Sequence, residues 1–209
     1  MPLYNEMKFG DISVSIWEIT ESADELLSLS KSNYAGEAAM LHGGRRKAEW
    51  LAVRLLLERM CGAEARIVYD AAGKPLLCGA QGYISISHTR GFALLAHSLR
   101  VPVGVDVELV GRNVVTVARR FVNEESRLSL PCGDINAGML AYWCACEAIF
   151  KVVGDVGGTY KDNLFVKPFE LSGHGRIVVS LKGLDTCCER DFFVDYINDG
   201  KLLIALCRE

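Results

Sequence analysis

Two stretches of helical period, 46–60 and 137–153, are embedded among short runs that alternate apolar and polar residues, and this arrangement constrains the fold more than any other feature. In 46–60, Trp50, Val53, Leu57 and Met60 recur at spacings of three and four, and Cys61-Gly62 closes the segment. Ahead of it, Ile12, Val14 and Ile16 alternate with Ser13, Ser15 and Trp17 as a strand does, with a polar helical stretch between. Behind it come a strand at 66–69, a turn at Asp70-Ala71-Ala72-Gly73, and strands at 83–88 and 92–98 joined by Thr89-Arg90-Gly91. The second half repeats that order: a strand at 103–108, a helical piece at 114–121, the helix at 137–153, and strands near Phe165, 177–181, 192–196 and 202–207. The expectation is an α+β chain of two similar halves, 1–102 and 103–209, with the boundary inside 99–102. The stretch 123–137, with Pro131, Gly133 and Gly138 in or beside it, is expected to be a variable surface loop.

Composition excludes several classes. Half of the 209 residues are hydrophobic and the formal charge is −3, which argues against a disordered tail and against a polybasic nucleic-acid arm. The most apolar stretches, 92–99 and 140–150, are far short of the roughly 20 residues that span a bilayer. No basic segment followed by an apolar run opens the sequence, so a cytoplasmic protein without membrane contact is expected. Eight cysteines occur, none in a Cys-x-x-Cys pair and none with His at finger spacing, and free, mostly buried thiols are the expectation.

Several residues could carry chemistry. In Gly104-Val105-Asp106-Val107-Glu108, alternation puts both acids on one strand face, where a hard divalent cation such as Mg²⁺ would relieve their repulsion. The plainer reading is a half-exposed strand with its acids toward water. On the second helix a four-residue spacing stacks Trp143, Glu147 and Lys151 along one stripe of a largely apolar segment. A surface Glu-to-Lys pair is the plainer account there. Ser87-His88 ends a strand beside a tight turn, Gly73-Lys74-Pro75 presents a lysine from another, and Arg45-Arg46-Lys47 with Arg54 adds positive charge along the first long helix.

Taken in order, Arg45-Arg46 to Arg54, Gly73-Lys74-Pro75, Ile84-Ser-Ile-Ser87-His88, Gly104-Val-Asp106-Val-Glu108, Arg120-Phe121 and Trp143-x-x-x-Glu147-Ala148-x-x-Lys151 resemble the larger, pseudo-dimeric type of the 4′-phosphopantetheinyl transferase superfamily. The resemblance implies that family's fold, two similar α+β halves with the site at their junction. It implies transfer of the phosphopantetheine arm of coenzyme A to a serine of an apo acyl or peptidyl carrier protein, with release of adenosine 3′,5′-bisphosphate. Asp106, Glu108 and Glu147 would hold Mg²⁺ on the coenzyme A diphosphate. Glu147 would also take the serine proton, directly or through a metal-bound water, and Lys151 would neutralise the departing diphosphate. Arg45, Arg46, Lys74, Ser87 and His88 match the grip on the adenine end and its 3′-phosphate, with Pro75 shaping the base pocket. A single chain carrying both halves would work as a monomer.

Two positions depart from the family pattern. Cys146 stands where a lysine is usual, and Ser126 stands where an acid often follows Arg-Phe; Glu124 and Glu125 are adjacent and would restore that acid under a shift of register. The segment 28–40 also lacks the basic cluster of some members. Two other readings compete with the transferase: an impaired homologue that binds coenzyme A without turnover, and an unrelated α+β interaction domain.

Overall fold

The computed structural model describes residues 3–154, 159–182 and 189–209. The chain divides into two compact units, Met1–Pro102 and Val103–Glu209. Each combines long helices with antiparallel sheet, an α+β composition.

In the first unit β1 (Leu3–Phe9) and β2 (Ile12–Glu18) form a hairpin turned at Gly10, whose φ of 65° suits glycine. Two short helices, α1 (Ala23–Leu29) and α2 (Ala35–Ala39), lead to α3 (Gly44–Cys61). A separate hairpin, β3 (Arg66–Tyr69) with β4 (Pro75–Cys78), precedes β5 (Tyr83–Thr89) and β6 (Phe92–Ser98). The four-stranded sheet runs β1-β2-β6-β5. Ile12, Val14 and Ile16 are wholly buried as the alternation required, yet Ser15 and Trp17 on the other face are buried too. β2 is an inner strand between β1 and β6, and Trp17 joins the core around α3. α3 is likewise buried well beyond a single stripe, from Ala48 to Leu57, because α1, α2, β2, β3 and β6 all pack on it.

The second unit opens with β7 (Val103–Leu109), followed by a single 3₁₀ turn (Ala118–Arg120) and α4 (Glu124–Ser129). Then come α5 (Ile135–Val153), α6 (Tyr160–Asn163), β8 (Leu164–Val166), β9 (His174–Lys182), β10 (Glu189–Asn198) and β11 (Leu202–Arg208). Its sheet runs β7-β11-β10-β9-β8, and α5 packs on β7, β11, β10 and β9. The two units share a plan. In each, an early strand (β2 or β7) pairs antiparallel with the unit's last strand (β6 or β11), and the long helix between them packs on both.

The structure corrects the expected loop at 123–137. Asn123 caps α4 by accepting from Ser126 N, α4 fills the first half of that stretch, α5 begins at Ile135 within it, and Ser126 is wholly buried. The helical piece at 114–121 is only the 3₁₀ turn, and β1 and β4 are strands beyond those expected. Of the described cysteines, Cys144, Cys146 and Cys207 are buried, Cys61 is half-buried, and Cys78 and Cys132 are exposed, so burial is less general than expected. Cys187 and Cys188 lie outside the described residues. Among the described residues no helix is long and apolar enough to cross a membrane.

Candidate functional site

Asp106 and Glu108 are each only 6% exposed, which removes the reading of a strand with its acids in water. β7 is placed beside α5 by Gly104: a Cβ there would lie 1.9 Å from the Ala148 carbonyl oxygen and 2.9 Å from Val152 Cγ2. That close approach brings Lys151 across to the strand. Its Nζ donates to Asp106 Oδ1 at 2.9 Å and to the Val105 carbonyl at 2.8 Å. Lys151 is therefore tied to β7, and the helical Glu147-to-Lys151 surface pair is not what holds it. Arg112 donates to Glu108 Oε1.

Along α5, Trp143, Glu147 and Lys151 are partly exposed and Phe150 beside them is exposed, while Ala145, Cys146, Ala148 and Ile149 are buried, so the four-residue stripe lies on the open side of the helix. Tyr160 OH donates to Glu147 Oε1 at 3.2 Å. Burial pushes the Glu147 carboxyl above its ordinary range, the nearby Asp106 charge adds to this, and Lys151, Tyr160 and Arg112 only partly offset it. Cys144, wholly buried, faces the same acid: burial first and the Asp106 charge second raise its thiol well above the usual value.

Among the described residues no group of three His, Cys, Asp or Glu side chains is placed to hold a metal ion. The donor set nevertheless fits one chemically. Asp106, Glu108 and Glu147 are carboxylates, the ligands that hard divalent cations take, and the repulsion between Asp106 and Glu147 is what such a cation relieves. Lys151 and Arg112 supply two positive charges against the three acids.

The candidate nucleotide residues lie in the first unit. Glu49, 7% exposed, links two of them: Arg45 Nε approaches its Oε1 at 3.1 Å, and His88 Nδ1 lies 3.9 Å from its Oε2. Sequence reasoning missed Glu49, although its place four residues after Arg45 on a helix was a usable signal. A cavity of ≈ 300 Å³ at the start of α3 is lined by Arg45 and Glu49 together with Gly44, Ile19, Glu21 and Gly91. Arg46 is exposed, whereas Ser87 is buried and His88 exposed, as neighbours on β5 alternate. Lys74 and Pro75 belong to a different element, the β3–β4 hairpin, where Asp70 Oδ1 accepts from Lys74 N at 2.8 Å. Arg54 does not contribute to an open cationic surface. It is buried, stacks 3.7 Å from the Trp50 ring centroid, and burial lowers its pKa.

Both departures from the family pattern resolve into core packing. Cys146 is wholly buried in the apolar cluster of the second unit. Ser126 Oγ donates to Tyr142 OH at 3.3 Å and accepts from Val166 N at 3.1 Å, while Tyr142 OH donates to the Leu164 carbonyl at 2.7 Å. Glu124 and Glu125 pair with Arg127 and Lys182 on the surface. Arg120-Phe121 splits, with Arg120 exposed and the Phe121 ring packed 4.9 Å from Trp143. Tyr160 was also missed, because nothing in its local sequence ties it to α5. No protein-family model matches the chain, and no curated protein matches it either.

Proposed function

We propose that the chain is an Mg²⁺-dependent 4′-phosphopantetheinyl transferase, acting in the cytoplasm as a monomer on coenzyme A and an apo acyl or peptidyl carrier protein. The observation that carries this reading is the acid group of β7 and α5: two buried carboxylates, Asp106 and Glu108, opposite Glu147 and engaged by Lys151 and Arg112. Such charge is costly to bury without a task.

Asp106, Glu108 and Glu147 would hold Mg²⁺, which when bound supplies neutralising charge for the coenzyme A diphosphate. Glu147 takes the proton of the carrier serine, directly or through a water. The serine oxygen forms a bond to the phosphorus bearing the pantetheine arm, and the bond from that phosphorus to the bridging oxygen breaks. Adenosine 3′,5′-bisphosphate leaves with the electron pair, and the Lys151 ammonium offsets the charge that develops on it. Arg45, Arg46, Lys74, Ser87 and His88 grip the adenine end and its 3′-phosphate, and Pro75 shapes the base pocket. Supporting this part are the cavity at the start of α3 and the cationic side chains exposed beside it.

The test is a mass measurement. Incubation with coenzyme A, Mg²⁺ and an apo carrier from the same cell is expected to add one phosphopantetheinyl group to the carrier, and Glu147→Ala is expected to abolish the gain with the fold kept. Coenzyme A binding without any gain on several native carriers would assign a binding protein instead, and no rise in Tm with coenzyme A would remove both readings.

A further inference from the structure

We infer that Tyr160 is a positioning residue for Glu147: its hydroxyl holds one carboxylate oxygen so that the other is presented to the incoming serine hydroxyl. The inference rests on the transferase reading and deepens it. A glutamate's terminal torsion is broad, so an unconstrained carboxylate at the end of its side chain samples many orientations. The 3.2 Å hydrogen bond from Tyr160 OH to Oε1 removes that freedom.

The tyrosine is itself held in place. Its ring packs 6.2 Å from Trp143 and 5.6 Å from Phe150, which stand on α5 on either side of Glu147 along the chain. Its backbone opens α6, where Thr159 Oγ1 accepts from Asp162 N and donates to Asp162 Oδ2 at 2.6 Å. Asn123 ties the far side of that helix, donating to the Lys161 and Leu164 carbonyls at 2.9 and 3.0 Å. The hydroxyl therefore reaches Glu147 from an anchored frame, which is what precise placement of a base requires.

Tyr160→Phe keeps the ring and removes only the hydroxyl. Losing one hydrogen bond to a charged group is expected to lower kcat by about ten- to a hundredfold, while KM for coenzyme A stays within about twofold. The Glu147 side-chain carboxyl ¹³C resonance, identified by its loss in Glu147→Gln, is expected to move in Tyr160→Phe, a readout independent of turnover. Wild-type kcat in Tyr160→Phe with an unmoved resonance would overturn the inference. So would full activity in Tyr160→Phe with a loss only in Tyr160→Leu, which would assign packing alone. Either of those outcomes leaves the transferase reading standing, whereas absence of transfer by the wild type overturns both.

Discussion

Gly104 bears a constraint that its valine neighbours do not. Having no Cβ beside the Ala148 carbonyl lets β7 lie against α5, where the Lys151 side chain spans from helix to strand. Gly104→Ala must push the two elements apart, and overpacking of this kind costs about 1–3 kcal/mol. The expected result is a lower denaturant midpoint with an unchanged slope, accompanied by loss of transfer; an unchanged midpoint would show that the helix yields without strain. The same scale explains why part of the site was legible in the sequence. Asp106, Glu108, Glu147 and Lys151 are polar residues set in apolar segments, and that mismatch is visible in one dimension. Tyr160 gains its role from a partner on another element, Glu147 on α5, and local sequence carries no record of that meeting, whereas Glu49 pairs within its own helix with Arg45 and only its approach to His88 on β5 was hidden. Ser126 was read as a missing acid because its partners, Tyr142 and Val166, lie 16 and 40 residues away.

At the scale of elements, the long helices α3 and α5 and the strands β2, β3 and β5 to β11 were recovered from sequence, most of them through a strong period with a buried face, and β3 through the turn that follows it. β1 escaped notice because Asn5, Glu6 and Lys8 interrupt its pattern, as an edge strand with an open side permits. β4 is four residues long and starts at Pro75, which reads as the end of a turn. The connection between α1 and α2 shows how an element can be fixed by one distant side chain. Glu58 on α3 accepts from Ser30 Oγ at 2.6 Å, Lys31 N at 3.0 Å and Ser32 N at 3.1 Å. Partial burial alone would raise its pKa, but these hydrogen bonds together outweigh burial and hold it below the ordinary carboxylate value. A carboxylate with a lowered folded pKa contributes stability that is present above its unfolded pKa, about 4.3, and is lost as the pH falls through the folded value. Glu58→Gln is therefore expected to lower Tm at pH 7 by roughly 2–4 °C, the shift given by about 1 kcal/mol in a chain of this size after allowance for solvent screening. The gap between variant and wild type should narrow as the pH falls below about 4.3 and close once it passes the lowered folded value. A gap that persists there would mean that Glu58 acts through packing rather than charge.

For the whole molecule, the net charge of −3 gives no long-range attraction for an anion as highly charged as coenzyme A. Under the proposed function, affinity would come from local cations, which fall into two classes with different responses to salt. Arg45 and Arg46 are exposed, with 76% of the Arg45 side chain open, so their contribution is screened by ions in the medium. Lys151, its side chain 25% exposed and bonded into β7, is screened far less. Raising ionic strength from about 0.1 M to about 1 M shortens the screening length from about 10 Å to about 3 Å and is expected to weaken coenzyme A binding about tenfold by calorimetry. In Arg45→Ala that salt dependence should become shallower, because one exposed cation no longer takes part, whereas in Lys151→Met it should keep its slope at a lower overall affinity. A wild-type affinity that does not change with salt would place the nucleotide away from the exposed residues at the start of α3 and confine its recognition to the acid and lysine group of β7 and α5.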